Sequence, residues 1–191
     1  MGDRVKPGLL AFNIRDTNKG NIKMTTGTNT AQGEEQLVVF DLAAEAYGVD
    51  IGAVREIIRM QDITKVPGAP EIVEGIINLH GNVIPVVDLR KRFRLEVTKR
   101  DKDNRIVVVD IGGQDIGVVV DAVNEVLRIA SDSVEPPSSV ITTAESVYLL
   151  GIVKLEGRLV ILLDLEKVLT DSEKASLTGS ADETAHVEAA D

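Results

Sequence analysis

Residues 75–93, GIINLHGNVIPVVDLRKRF, return without a gap at 151–169 as GIVKLEGRLVILLDLEKVL. Gly75, Ile76, Leu79, Gly81, Asp88, Leu89 and Lys91 fall on Gly151, Ile152, Leu155, Gly157, Asp164, Leu165 and Lys167, and most other positions exchange one aliphatic residue for another. A second echo precedes the first: LVVFDLAAEAYGVDIGAVREII (37–58) aligns on IVVVDIGGQDIGVVVDAVNEVL (106–127). Chance likeness between valine-rich strands is the alternative, but the matches at Asp41/Asp110, Gly48/Gly117 and Glu56/Glu125 carry more information than the valines do. A repeat of this kind fixes the architecture before any local propensity does. The expectation is a duplicated half, 36–95 and 104–170, joined by the charged connector 94–105.

The units read as short strands. EQLVVFDL and EAYGVDI have the length and β-branched content of a hairpin, and Gly112-Gly113 marks a second one. GAVREIIRM (52–60) reads as a turn entering a strand. Gly81-Asn82 reads as the turn of the opening stretch. Pro85 places its strand at an edge, a bulge or a bend, because proline cannot donate to a ladder. Pro70 with Glu71 and Glu74 suggests one helical turn. Many short strands at this spacing indicate barrels or sandwiches rather than a βαβ fold. Residues 165–176 read as a helical continuation. Residues 1–35, rich in Thr, Asn and Gly, and the acidic stretch beyond about 178 are expected to be disordered. Met24 is a candidate alternative start, which the intact mass of the native protein would decide.

The 191-residue chain is 43% hydrophobic but only 3% aromatic, so its core is aliphatic. A net charge of −10 argues against nucleic acid and anionic membranes as partners. There is no cysteine, which removes thiolate chemistry and Cys-based zinc sites and fits a reducing compartment. The longest apolar runs, such as LVILL (159–163), are too short to span a bilayer, and LLAF (9–12) is too short for a signal-peptide core. The expectation is a cytoplasmic protein.

Catalytic signals are sparse. The two histidines are His80 and His186, and no G-x-S-x-G turn offers a nucleophile. DKDN (101–104) opens like a calcium loop, but Ile106 stands where that loop needs glycine. GGQDIG (112–117) lacks the Lys-Ser/Thr of a phosphate cradle. Asp41, Asp88, Asp110 and Asp164 recur after apolar strands, which suggests strand-end roles rather than catalytic pairs. No catalytic residue, cofactor or metal is expected. A chain of this kind works by its surfaces.

The stretch VREII…ITKVPGAPEIVEGIINLHGNVIPVVDLRKRF (54–93) resembles the signature of the CheW family, the coupling proteins of bacterial chemotaxis. The likeness runs through Val73, Gly75, Ile76, Asn78, Leu79, Gly81, Val83 to Val86, Asp88 and Leu89, and extends over about 36–170. The resemblance implies an all-β fold of two five-stranded SH3-like barrels packed together, with short helical turns and a short C-terminal helix. It implies a non-catalytic adaptor that joins the regulatory domain of a CheA-type histidine kinase to the cytoplasmic tips of chemoreceptors in membrane-associated arrays, with no nucleic acid and no membrane insertion.

By resemblance, Val38, Ile51 and Val54 meet the kinase, and Glu56, Gly75, Asn78, His80 and Gly81 meet the receptor tip. Each has a plainer reading: the apolar three as core, the glycines as backbone requirements, Asn78 as a turn cap. One departure stands out. The family usually has arginine where this chain has His80, paired with the glutamate matching Glu56, so His80 either pairs with Glu56 here or sits at a hairpin end with no ionic partner. Rival readings are an output module cut from a larger kinase, a CheV-like protein (which needs a receiver domain that 191 residues do not accommodate), and a small barrel enzyme or ligand-binding module.

Overall fold

The computed structural model describes residues 12–13, 22–23, 33–138 and 147–184. Thirteen strands run in chain order: β1 Phe12–Asn13, β2 Ile22–Lys23, β3 Glu34–Leu42, β4 Glu45–Asp50, β5 Val54–Arg59, β6 Val73–Leu79, β7 Asn82–Asp88, β8 Arg105–Ile111, β9 Gln114–Val120, β10 Ala122–Ala130, β11 Val134–Glu135, β12 Leu149–Leu155 and β13 Arg158–Leu163. Among the described residues there are also three α-helices, α1 Leu89–Arg92, α2 Leu165–Val168 and α3 Asp171–Thr184. Met24 and His186 lie outside the described residues.

The strands form two mixed sheets, in the orders β1-β10-β3-β4-β13-β12-β11 and β2-β5-β8-β9-β7-β6. The expected pair of five-stranded closed barrels is not what forms. In each sheet the outermost strands pair with one neighbour only, so the ladder stays open. Each sheet also contains one parallel junction, β4 with β13 and β7 with β9, where the antiparallel run reverses.

The duplication governs this topology. Replacing β10, β3, β4, β13 and β12 by their repeat equivalents β5, β8, β9, β7 and β6 turns the first order into the second. The sheets are therefore not the two sequence halves. Each half donates its first hairpin, β3–β4 or β8–β9, to the sheet built by the other. Register shifts recur at equivalent places too, at Val54/Glu56 with Val123/Glu125 and at Val73/Gly75 with Leu149/Gly151.

Successive side chains on a strand point to opposite faces, and here both faces are covered. Val38, Phe40, Val107 and Val109 join a large aliphatic cluster shared by the two sheets. Their alternates Leu37 and Val39 join a cluster private to the first sheet, and Ile106 and Val108 one private to the second. Four of the five aromatic residues stack in a row, Phe40–Tyr47–Phe93–Tyr148, with successive centroids 6.2, 5.7 and 4.9 Å apart.

The recurring aspartates hold strand ends. Asp88 accepts the Arg90 N–H at 2.8 Å and caps α1, and Asp164 accepts the Glu166 N–H at 3.1 Å and caps α2. Burial pushes the Asp88 carboxyl above its ordinary range. Asp110 accepts the Gly113 N–H in the Gly112-Gly113 turn, and Asp41 accepts from the Asn124 amide. α3 opens with a capping box, Thr170 and Glu173 each accepting the other's backbone N–H, and Leu177 anchors it in the shared core.

Two sequence readings shift. Pro85 sits in an interior strand, between β9 and β6, so of the edge, bulge and bend readings the edge fails, while a register shift at Val73/Gly75 lies beside it. The proline is tolerated because pairing of β7 with β9 begins one residue later, at Val86. The β6–β7 turn is His80-Gly81 rather than Gly81-Asn82, with φ of 53° and 87°. Positive φ at both central residues is what a type I′ hairpin requires.

Gly75 has φ of 143°, and a Cβ there would lie 2.1 Å from the Thr64 carbonyl oxygen. Thr64 bridges to Ile76 through two backbone bonds of 2.9 and 2.8 Å, so β6 cannot retreat. Gly81, by contrast, has no atom near the place of a Cβ. Gly75→Ala should therefore cost more than about 3 kcal/mol, and Gly81→Ala about 1 kcal/mol of left-handed strain. Urea unfolding of the two variants checks the order.

Candidate functional site

The β6–β7 hairpin is long enough to carry its turn beside β5. There the His80 imidazole Nε2 meets Glu56 Oε2 at 3.0 Å and Oε1 at 3.3 Å. The Glu56 residue is only 5% exposed, while the His80 side chain is 52% exposed. A buried carboxylate thus reaches the surface through one imidazole. Asn78 Oδ1 accepts the Gly81 N–H at 3.0 Å and fixes the turn from inside. His80 pays for this position in backbone conformation, since a non-glycine residue at φ of 53° is strained by about 1 kcal/mol.

Four of the five residues assigned to the receptor by resemblance, Glu56, Asn78, His80 and Gly81, therefore gather at one hairpin end. The fifth, Gly75, lies buried at the far end of β6, beneath Thr64. Its place follows from the backbone contact alone. Val83, 43% exposed and opposite Asn78 in the ladder, adds an apolar side chain to the hairpin surface. Sequence reasoning passed over it because it lies in an aliphatic run that looks uniformly internal.

The apolar trio divides differently. Val38 is 0% and Val54 2% exposed, both within the shared core. The expectation that they present a surface fails because their strands are covered on both faces. Ile51 is half-buried in a 3-10 turn, Ile51–Ala53, whose entry is capped by Asp50 accepting the Gly52 N–H at 2.6 Å. Of the three, Ile51 alone keeps part of its apolar side chain exposed, packed against the shared core that holds Val38 and Val54.

Polar bonds around the site were not legible from spacing. Arg55, exposed at the Val54/Glu56 register shift, pairs with Asp110 and lies 3.8 Å from Asp115; the Arg55 hydrogen bond holds the Asp110 carboxyl below its ordinary range. Glu74 takes Lys91 at 2.5 Å and Arg100 at 2.6 Å. Burial there favours the neutral acid, but the two cations prevail and the Glu74 carboxyl titrates below its usual value. Asp121 accepts from Arg90 and from the Ala43 N–H, tying α1 to the β3–β4 turn. Glu125, the repeat equivalent of Glu56, pairs with Arg158. Among the described residues no group of three His, Asp or Glu side chains is placed to hold a metal ion.

Two mixed sheets, a polar pair at a strained hairpin and a half-buried apolar turn are the features of a scaffold-type protein. Comparison with known proteins gives the family. The chain matches the family described as CheW-like domain over residues 36–173. It is 33% identical to the chemotaxis protein CheW of Klebsiella aerogenes over 141 residues, 74% of this chain and 85% of that one. It is 36% identical to the CheW of Treponema pallidum over 146 residues, 74% and 86% of the two chains. The crystal structure of the scaffolding protein TtCheW from Thermoanaerobacter tengcongensis superposes with a TM-score of 0.67 at 43% identity, covering 73% of this chain and 94% of that one. The chain belongs to the CheW family, and is a non-catalytic adaptor of chemotaxis signal transduction.

If His80 is the partner of the Glu56 carboxylate, His80→Ala should destabilise the fold by about 1 kcal/mol. His80→Arg, which keeps a donor and carries a similar backbone strain, should leave stability near that of the natural chain. In a Glu56→Gln background the difference between Ala and Arg should shrink to a few tenths of a kcal/mol. Denaturant midpoints for the six combinations check this.

Proposed function

We propose that this adaptor couples the cytoplasmic tip of a chemoreceptor to the regulatory domain of a CheA-type histidine kinase, and is drawn from the cytoplasm to membrane-associated receptor arrays by those contacts. The observation that carries the receptor side is the Glu56–His80 pair at the His80-Gly81 turn, with Asn78 and Val83 beside it. A receptor tip is a helical hairpin with polar and apolar residues on one face, and this surface offers both kinds of contact. On the kinase side the Ile51 turn supplies the apolar contact, resting on the shared core that contains Val38 and Val54. No helix among the described residues is long and apolar enough to cross a membrane, so recruitment rests on protein contacts in this reading.

The two surfaces belong to different places on the chain and should be separable. His80→Asp sets a like charge against Glu56 and should weaken binding of a receptor signalling-tip fragment by about tenfold or more, leaving kinase binding within twofold. Ile51→Glu should do the reverse. Calorimetric titration of each variant with the two partners, beside a melting curve, makes the test. Equal loss of both partners at an unchanged melting temperature would contradict the assignment.

A further inference from the structure

The two short strands β1 and β2 precede the region matched to the CheW-like family, which begins at residue 36. They pair with β10 and β5, the strands that would otherwise form equivalent edges of the two sheets. The register is the same in both. Phe12 stands opposite Val126 and Asn13 opposite Glu125; Ile22 stands opposite Ile57 and Lys23 opposite Glu56. Val126 and Ile57 are repeat equivalents, and so are Glu125 and Glu56. Each edge therefore receives an antiparallel pair of one apolar and one polar residue at the same point, immediately after the same register shift at Val54/Glu56 or Val123/Glu125.

An unpaired edge offers backbone donors and acceptors to any extended segment. A duplicated fold that leaves two equivalent edges open has two copies of one such site. We propose that the β5 and β10 edges are equivalent strand-addition sites, that residues 12–13 and 22–23 of this chain occupy them as a strap, and that the strap competes with the receptor at Glu56. The competition rests on the proposed receptor reading of Glu56; the strap does not. Two-residue strands make few bonds, so each contact is weak by itself. The tether compensates by supplying the second contact at high effective concentration. Such a strap attenuates binding without abolishing it.

The test uses the full-length chain and the double variant Phe12→Pro/Ile22→Pro. Proline removes the N–H and the strand geometry at both contacts. Hydrogen exchange should show one backbone amide of the pair 56/57 and its repeat equivalent in the pair 125/126, those that face β2 and β1 rather than β8 and β3, exchanging at least tenfold faster in the variant. A receptor signalling-tip fragment should bind the variant several-fold more tightly. A synthetic peptide of residues 8–26 added to the variant should restore protection and weaken receptor binding. Identical exchange in the two chains would overturn the strap. Faster exchange with unchanged receptor affinity would overturn the competition. Failure of the fragment to bind either chain would sink the receptor reading instead, and the exchange comparison would still decide the strap.

Discussion

The close approach of strands at the two parallel junctions is what the rest of the structure depends on. β4 meets β13 at Gly48 and β9 meets β7 at Gly117. A Cβ at Gly48 would stand 3.0 Å from Leu162, and one at Gly117 would stand 2.8 Å from Ile106 and 3.2 Å from Val86. The absent side chains let a hairpin from one sequence half lie against strands of the other. Through that exchange each sheet is completed by both halves, and the shared cluster between the sheets is filled from both. An intertwined pair of this kind has no boundary at which one half can unfold alone.

The site inherits its geometry from this arrangement. β5, which carries Glu56, is held by β8 from the other half, and β7, which leads out of the His80 turn, is held by β9. Neither strand is free to shift relative to the other without disturbing the exchanged hairpin β8–β9. The strained φ of His80 is sustained by that framework and by the Asn78 bond beneath the turn. Strain of this sort persists where surrounding structure over-determines it. In the proposed reading this framework keeps the receptor and kinase surfaces at a fixed separation.

What could be read from the sequence was local or repeated. The Gly112-Gly113 turn, the strand-end roles of Asp88 and Asp164 and the duplication were legible, because each depends on a few neighbouring residues or on identity at a fixed offset. The Glu56–His80 pair was legible through the family resemblance and the departure at His80. Three things were not. Hairpin exchange leaves no mark, since β3–β4 has the same pattern whichever sheet receives it. The burial of Val38 and Val54 was hidden because alternation shows that a strand has two faces, not that both are covered. The pairings of β1 and β2 lie in two-residue strands, too short to show any period.

The claim most exposed to contradiction is that the two halves fold only together. Residues 36–98 and 99–178, expressed separately, leave the exchanged hairpins without their hosts. Each piece alone should show the circular dichroism and exchange behaviour of an unfolded chain, and an equimolar mixture should recover a one-to-one complex with a single cooperative melting transition. Cooperative melting by either piece in isolation, as a monomer, would show that a sheet can be completed within one half and would contradict the account.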